Sequence, residues 1–203
     1  QGVRKGIFQG FNRLEFVKSQ NTIGSLVADV PRGLSRYDQF AKDDILEVWR
    51  EKGGTTGLMN ETAYFLQNWG FWTDSEGAEY IRLTAFDANW LLDTAIVWAK
   101  AGSAEADKSG DPANMMKAIV REQLGSLAAA ERRKLAVAPD GGAYGSPITK
   151  AFAYRNVLTV LQEVCETASE GGNWLGFDVV RTAPGEFEFR TYAGQRGQNH
   201  GRF

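Results

Sequence analysis

The sequence predicts an α+β fold: a small β-barrel-like domain over residues 1–100, followed by an α/β domain over residues 101–203 with two helices and a C-terminal β-hairpin. Three observations predict it. Apolar and polar residues alternate with the period of a strand through most of the first half. Two segments of the second half have the apolar period of a helix. The chain then closes with two strand-like segments around a Pro-Gly turn, which is typical of a hairpin.

Five segments of the first half have the composition of strands. They are RLEFVKS (13–19), TIGSLVADV (22–30), ILEVWRE (45–51), AYFLQNWGFW (63–72) and EYIRLTAF (79–86). GGTTG at 53–57 predicts a flexible connection, and Gly70 predicts a bulge or break in the fourth strand. Strands this short, joined by turns, favour a small sheet or barrel.

The stretch LTAFDANWLLD (83–93) begins like a strand and ends like a helix. Its aspartates, Asp87 and Asp93, are candidates either for a catalytic carboxylate pair or for parts of a structural joint. Asp87 stands where the helix begins, and an aspartate there accepts hydrogen bonds from free backbone amides, here those of Asn89 or Trp90. We therefore predict that Asp87 caps the joint and that Asp93 is a solvated or capping residue.

The second half reads as helical after a small, polar boundary segment, AGSAEADKSG (101–110). Asp111-Pro112 predicts a helix start, because aspartate caps a helix and proline fits its first turn. The apolar stripe of this helix is Met115, Met116, Ile119, Val120 and Leu124, interrupted at Gln123. The helix is expected to end close to Gly125.

A second helix is predicted over residues 154–169. Its apolar face is Tyr154, Val157, Leu158, Leu161, Val164, Cys165 and Ala168. KLAVAP (134–139) predicts a short strand and DGGAYGSP (140–147) a loop. WLGFDVVRT (174–182) and GEFEFRTY (185–192) form the predicted closing hairpin.

Composition excludes several classes of protein. The chain has 23 basic and 25 acidic residues, a net charge of −2, which argues against a duplex-DNA binder with a concentrated basic face. A single cysteine, Cys165, cannot form an internal disulfide. No apolar run approaches the roughly 18 residues of a membrane span and no signal peptide is visible, so no stable membrane insertion is expected. Because the chain starts at Gln1, we expect a fragment or the ordered part of a longer protein.

Residues suited to catalysis are sparse. His200, the only histidine, lies in a polar, glycine-rich terminus, and Cys165 lies on an apolar helix face, where a thiol packs as a small hydrophobe. GQRGQNHG (194–201) lacks the following helix of a phosphate loop, and no zinc or calcium motif is present. We predict no catalytic residue, no cofactor and no metal. A pair of carboxylates can still hydrolyse a glycosidic bond, and the sequence leaves this open.

Tryptophans are numerous and suit either sugar stacking or buried and interface positions. They are Trp49, Trp69, Trp72, Trp90, Trp98 and Trp174. NWGFW (68–72) places two indoles and a phenyl ring beside a glycine, and exposed aromatic residues of that kind mark protein interfaces. Trp69, Phe71 and Trp72 are therefore predicted to form a subunit or partner interface.

Four stretches, taken in order, carry a family resemblance. They are RLEFVKSQNTIGSLVADVP, ILEVWRE, EYIRLTAFDANWLLDTAIV, and the pair DPANMMKAIVREQLG with YRNVLTVLQEVCETASEGGNWLGFDVV. They resemble, in turn, the opening strand pair, the next strand, the strand and short helix that close the first domain, and the helices and hairpin of the second domain of bacteriophage tail-tip or baseplate hub proteins. The family includes siphovirus tail proteins, and the likeness covers most of residues 13–192.

The resemblance implies a structural virion protein rather than an enzyme. Its first domain would be a tube-like β-structure that joins neighbours into a ring continuing the tail tube, with the α/β domain outside. The ring would surround the channel for DNA and the tape-measure protein. Implied partners are further copies, as a trimer, with the distal tail protein, the tape-measure protein and other tail-tip proteins. DNA is met only in passage, and the protein is made in the host bacterial cytoplasm.

The resemblance also assigns Asp87 no catalytic role, and it leaves a difference. The family usually has a second tube-like domain, and this chain ends where that domain would begin. Either sequence is missing or the ring has another symmetry.

The channel side is expected to be acidic or neutral, because a basic lumen would slow DNA passage. Two alternatives stay open: a carboxylate-based hydrolase of cell-wall glycan, and a carbohydrate-binding module that uses NWGFW.

Overall fold

A computed structural model of the chain describes residues 5–34, 40–99, 103–172 and 174–194. Within these residues the fold is mixed α+β, mostly strands with three helices, and it contains a curled, half-barrel sheet. The coarse fold class predicted from the sequence is therefore confirmed. The chain divides into two compact units. The first is Gln1–Trp90 with Val180–Phe187, and the second is Leu91–Val179 with Glu188–Phe203.

The first unit is built mainly on strands, as the alternation predicted for the first half of the chain. They are β1 (Arg13–Val17), β2 (Ser25–Pro31), β3 (Ile45–Leu46), β4 (Trp49–Lys52), β5 (Thr55–Leu58), β6 (Tyr64–Thr73) and β7 (Glu79–Asp87). The helix α1 (Trp90–Asp93) begins at the end of this unit. Among the described residues, the curled sheet has the order β1-β2-β7-β6-β3 and all its pairings are antiparallel.

One face of the sheet carries the core of the first unit. The fully or nearly fully buried members are Leu26, Ala28, Val30, Tyr64, Leu66, Ile81, Leu83 and Ala85. Phe16 and Trp69 pack against this cluster. The register aligns these side chains across the strands, with Ala28 opposite Leu83 and Leu26 opposite Ala85. The period-two pattern thus sends one set of side chains into the core.

Two predictions about the strands are wrong. The segment 45–51 is not one strand: β3 belongs to the curled sheet, and β4 pairs with β5 in a separate hairpin. GGTTG is not a flexible connection, because Gly53 and Gly54, at φ +60° and +79°, form the tight turn of that hairpin and Thr55 already belongs to β5. Two positive-φ residues at a two-residue hairpin turn match the right-handed twist of the strands.

The bulge in β6 lies at a different residue from the one predicted. Leu66 is opposite Ala85 and Asn68 is opposite Thr84, so Gln67 is the additional residue. Gly70 sits in regular register opposite Arg82. The additional residue changes which parity of β6 faces the core, so Leu66 and Trp69 lie on the core side although they are three residues apart.

The second unit contains the remaining elements. They are β8 (Ile96–Val97), β9 (Ala106–Gly110), α2 (Pro112–Gln123), β10 (Ala136–Val137), β11 (Ile148–Phe152), β12 (Arg155–Asn156), α3 (Val157–Glu170), β13 (Leu175–Ala183) and β14 (Glu186–Ala193). In the described residues β10, β14 and β13 form one sheet, β9 pairs with β11, and β8 pairs with β12. The tip of the β13–β14 hairpin, Val180–Phe187, belongs to the first unit.

The helices of the second unit form largely as predicted. The carboxylate of Asp111 caps α2 by accepting a hydrogen bond from Asn114 N at 2.9 Å. Except at Tyr154, the predicted apolar faces are buried in both α2 and α3. However, α3 begins at Val157 rather than at Tyr154, because Arg155 and Asn156 pair with β8 and Asn156 caps the helix. Tyr154 has φ +52° and is exposed.

The predicted boundary segment contains regular structure. Within residues 101–110, Ala106–Gly110 form β9 opposite β11, a strand that the sequence did not predict either. Polar, small residues are poor strand formers, and tertiary pairing overrides that preference here. The assignment of residues 1–100 and 101–203 to two hub domains stays a prediction.

Candidate functional site

The Asp87 segment is a structural joint. Asp87 is fully buried, and its Oδ1 accepts a hydrogen bond from Asn89 N at 3.1 Å. Asn89 is also buried, and its Nδ2 donates to Ser19 O at 3.2 Å and to Thr22 O at 2.8 Å. The predicted capping by Asp87 is confirmed for Asn89. The side chain of Asn89, which the sequence did not single out, fastens the turn between β1 and β2 to the end of β7.

Gly24 shows how tightly this joint is built. A β-carbon at that position would lie 2.2 Å from Val17 O and 2.6 Å from Asp87 Oδ2, closer than non-bonded atoms approach. Gly24 O also accepts a hydrogen bond from Asp87 N at 3.0 Å. By contrast, Asp93 is exposed, and its carbonyl accepts from Asn156 Nδ2 at 2.7 Å. The two aspartates therefore have separate environments, one buried in the joint and one in solvent.

The cysteine is packed as a small apolar group. Cys165 is buried on α3, with its Sγ 3.8 Å from Met116 Sδ on α2. Burial raises the pKa of the Cys165 thiol to about 12, so the thiolate that a nucleophile requires is scarce at neutral pH. His200, the other candidate for nucleophilic catalysis, lies outside the described residues.

The described part of the chain holds no cluster of three or more His, Cys, Asp or Glu side chains placed to bind a metal. None of its helices combines the length and apolarity that a membrane crossing requires. Neighbouring cations lower the pKa of four carboxyl groups, those of Glu15, Asp29, Asp140 and Glu163. A general acid in glycoside hydrolysis needs the opposite shift.

The three predicted interface aromatics do not form one patch. Trp69 is half-buried, packs on the core, and contacts Phe40 edge-on with ring centroids 6.3 Å apart. Phe71 is 56% exposed, and the Arg32 guanidinium lies 5.1 Å from its ring centroid. Trp72 has the other parity of β6 and lies on the opposite face of the sheet. Of the three, Phe71 is the side chain most available to a partner.

Trp72 belongs to a polar cluster centred on a buried carboxylate. The side chain of Asp29 is 3% exposed, and it accepts from Arg82 Nε and Nη2 at 2.8 and 2.9 Å and from Trp72 Nε1 at 3.3 Å. The Arg82 guanidinium lies 5.0 Å from the Trp72 ring centroid, and Trp72 stacks on Tyr80 at 5.0 Å. Hydrogen bonds from Arg82 hold the pKa of Asp29 below its ordinary 3.8.

This cluster was not predicted from the sequence. Asp29 and Arg82 are 53 residues apart and meet because β2 and β7 are antiparallel neighbours in a register that places them opposite each other. The alternation within each strand predicts only that both side chains share the solvent side of their strands. The pairing of β2 with β7 was the missing information.

The solvent face of the curled sheet carries paired charges. Arg13 and Glu15 pair on β1, and Asp29 pairs with Arg82 across β2 and β7. Each basic group therefore has an acidic partner at contact distance. The result is a polar surface close to neutral over the half of the sheet that contains these residues.

The β4–β5 hairpin, residues 49–58, is a second distinct surface feature, which we call the hairpin arm. Every residue from 49 to 57 is exposed. Its base is held by Glu47, whose carboxylate accepts from Trp49 Nε1 at 3.0 Å and from Arg181 Nε. Trp49 remains 50% exposed. A two-stranded hairpin alone is marginally stable in water, so the contacts of Glu47 at the base help to hold this arm.

In the second unit, the loop after β10 is fastened to α2. Asn114 exchanges two hydrogen bonds with the backbone of Gly141, and Lys117 Nζ donates to Pro139 O at 2.7 Å. Arg121 pairs with Asp140, and the groove of about 310 Å³ beside it is lined by Arg121, Gly125, Ser126, Arg133, Leu135, Ala136 and Val137. Burial lowers the pKa of Lys117. These polar groups are used to hold the loop.

Comparison with known proteins gives no assignment. No protein-family model matches the chain, and no curated protein matches it significantly. The features that remain for a functional argument are the charge-paired sheet face, the hairpin arm, and exposed aromatic residues such as Phe71.

Proposed function

We propose that this chain is a structural subunit of a bacteriophage tail tip or baseplate hub, in a ring that closes the tail tube around the channel for DNA and the tape-measure protein. The proposal keeps the partners that the resemblance implies: further copies of the chain, as a trimer, together with the distal tail protein, the tape-measure protein and other tail-tip proteins. The protein acts in the virion and meets DNA only in passage.

The observation that carries the proposal is the curled antiparallel sheet with a core on one face and paired charges on the other. A channel wall for DNA must be wettable, yet it must not bind phosphates, because each phosphate contact adds salt-dependent affinity. Pairing Arg13 with Glu15 and Arg82 with Asp29 meets both requirements. We propose that this face is the one that borders the channel.

Exposed apolar groups support assembly. In the first unit Ile7, Val17, Trp49 and Phe71 are each 50% exposed or more. Single exposed apolar residues are ordinary on monomers. Here, however, two of them are aromatic and sit on a projecting arm and at the far end of β6, positions that a neighbouring subunit could cover.

The contacts that the candidate residues make within the chain favour a structural role over the two alternatives, the glycan hydrolase and the carbohydrate-binding module. Asp87 belongs to the joint, and Trp72 is engaged by Asp29, Arg82 and Tyr80. A hydrolase would need a carboxyl group with a raised pKa in a groove, and a sugar platform would need an aromatic face open to the ligand. Phe71 is exposed, but the Arg32 guanidinium lies over its ring.

Location in the particle tests the proposal. Phage particles whose genome encodes this chain are crosslinked, and the crosslinked peptides are identified by mass spectrometry. We expect links from this chain to itself and to the distal tail and tape-measure proteins. Particles that contain no copy of the chain at the tail end would refute the proposal. Hydrolysis of purified cell-wall glycan by the chain would favour the first alternative instead.

A further inference from the structure

We infer that copies of this chain contact one another head to tail, with the hairpin arm of one copy against the turn between β6 and β7 of the next. The inference deepens the proposed function and rests on it for the premise that the chain assembles with itself. The contact joins two features of the first unit that carry opposite charge and are connected to opposite ends of β6.

The hairpin arm presents a basic side. Arg50 and Lys52 are two residues apart on β4, so they project from the same side of the arm. Their cross-strand partners are Gly57 and Thr55, which are small and leave both cations accessible. Neither cation forms an ion pair with any described residue, whereas the adjacent Glu51 projects from the other side.

The turn between β6 and β7, residues 74–78, presents the opposite charge, and we call it the acidic turn. The carboxylate of Asp74 accepts hydrogen bonds from Glu76 N and Ala78 N, both at 2.9 Å, and these bonds hold the turn while keeping the negative charge. The side chain of Glu76 is exposed and has no ion pair within the described part of the chain. Phe71, also exposed, precedes this turn on β6.

The two features are connected to opposite ends of β6. β3 pairs with Tyr64 and Phe65 at the start of β6, and the chain leaves this end of the sheet to form the arm. The acidic turn follows Thr73 at the other end. Ten residues separate the ends of β6, a distance of about 30 Å. This is several times the screening length of about 8 Å at physiological ionic strength.

A second copy is the occupant that fits both features. Complementary patches at opposite ends of one subunit give a heterologous contact, which repeats from copy to copy and closes into a ring when the rotation per subunit allows it. Nucleic acid would satisfy the basic side of the arm only. It would leave the acidic turn unpartnered, and the net charge of −2 opposes it.

Charge reversal tests the contact. Lys52→Glu and Glu76→Lys each replace an attraction by a repulsion, so each should weaken self-association about tenfold. Combining both substitutions in one chain restores opposite charges and should restore association. An equimolar mixture of the two single variants should also associate. Lys134→Glu and Glu131→Lys, at exposed positions of the second unit, are the matched controls and should leave association unchanged. Analytical ultracentrifugation measures association, and circular dichroism verifies the fold.

Several outcomes would overturn the inference. They are a wild-type chain that stays monomeric at all concentrations, single variants that associate like wild type, or a double variant that is no better than the singles. A Lys52→Glu variant that associates normally but loses affinity for a labelled 20-base-pair duplex would make the arm a nucleic-acid surface. Because particle crosslinking measures location and ultracentrifugation measures this contact, failure of one is distinguishable from failure of the other.

Discussion

At the scale of single residues, Asp29 illustrates how a sheet can hold a charge on its solvent face. Its carboxylate is almost fully buried, yet it accepts two hydrogen bonds from one guanidinium and a third from an indole. Such a planar, two-point arrangement fixes the orientation of Arg82 as well as its charge. The pair therefore neutralises the surface without leaving either group free to bind phosphate.

The stability that Asp29 contributes should depend on pH. Its pKa is lowered in the folded state by Arg82, so its contribution is present above the ordinary value near 3.8 and is lost as the pH falls through the lower, folded value. Asp29→Asn should therefore reduce the urea midpoint of unfolding at pH 7 and reduce it much less at pH 2. The exposed Asp107 gives the control, since Asp107→Asn should change little at either pH. An Asp29→Asn effect that does not vary with pH would contradict this account.

Gly24 is the position in the joint where added side-chain volume is tolerated least. Gly24→Ala brings a methyl group against Val17 O and Asp87 Oδ2, and we expect the free energy of unfolding to fall by about 2–3 kcal/mol, the upper range for overpacking. The same change at Gly57, where a β-carbon meets no atom within 4 Å, should be harmless. Urea titration of both variants compares them. Equal stability of the two would show that the joint yields easily.

Cys165 should be unreactive in the native protein. Its burial and its raised pKa of about 12 together suppress the thiolate and block access by reagent. We expect a thiol-specific disulfide reagent to modify Cys165 at least 100-fold more slowly in buffer than in 6 M guanidinium chloride. Rapid modification of the folded chain would mean that the α2–α3 packing opens readily.

At the scale of elements, the structures that were predicted correctly from the sequence are those that depend on residues close together in the chain. The capped start of α2, the apolar faces of both long helices and the closing hairpin were predictable, because Asp111-Pro112, periodic apolar residues and a Pro-Gly turn act within a few residues. β4 and β5 were mispredicted, since their exposed, polar composition hides a hairpin. The Asp29–Arg82 pair required knowledge of which strands are neighbours.

The clamp between α2 and the loop after β10 gives a prediction at this scale. The carboxylate of Asp111 both caps α2 through Asn114 N and accepts from Tyr144 N. Asp111→Ala should therefore destabilise the chain by about 1–2 kcal/mol and speed amide hydrogen exchange in the first turn of α2 and in residues 139–145.

Asn114→Ala separates docking of the loop from capping of the helix. It removes only the bonds to Gly141, so it should speed exchange in the loop while the first turn of α2 stays protected. If Asn114→Ala also exposed the helix amides, loop docking rather than capping would hold the helix start.

At the scale of the whole molecule, the ion-paired charges on the solvent face of the curled sheet predict how weakly the chain binds DNA. With a net charge of −2 and two ion pairs on that face, the chain should not retain a 20-base-pair duplex at about 0.15 M salt, where non-specific binding depends on unpaired cations. Fluorescence anisotropy measures this. Glu15→Gln with Asp29→Asn would free Arg13 and Arg82 and should raise duplex affinity. Tight, salt-dependent binding by the wild type would contradict a role as a passive channel wall.

Composition alone argued against a duplex-DNA binder, and the resemblance supplied a virion role, but the sequence predicted an interface of Trp69, Phe71 and Trp72. The structure divides these residues between a core contact, an exposed position and a polar cluster. The additional residue in β6 reverses which of the following side chains face the core. The pattern of aromatic residues in the sequence does not reveal that additional residue.

The additional residue in β6 has a consequence for how this chain evolves. Because Gln67 shifts the phase of everything that follows it, losing one residue there would exchange the surroundings of Trp69 and Trp72 in a single event. Homologous chains should therefore accept substitutions along this strand but no gaps, whereas length changes should accumulate at the Gly53-Gly54 tip. Sequence alignments that assume uninterrupted alternation would align the two tryptophans with the wrong positions. Distant homologues would then be missed.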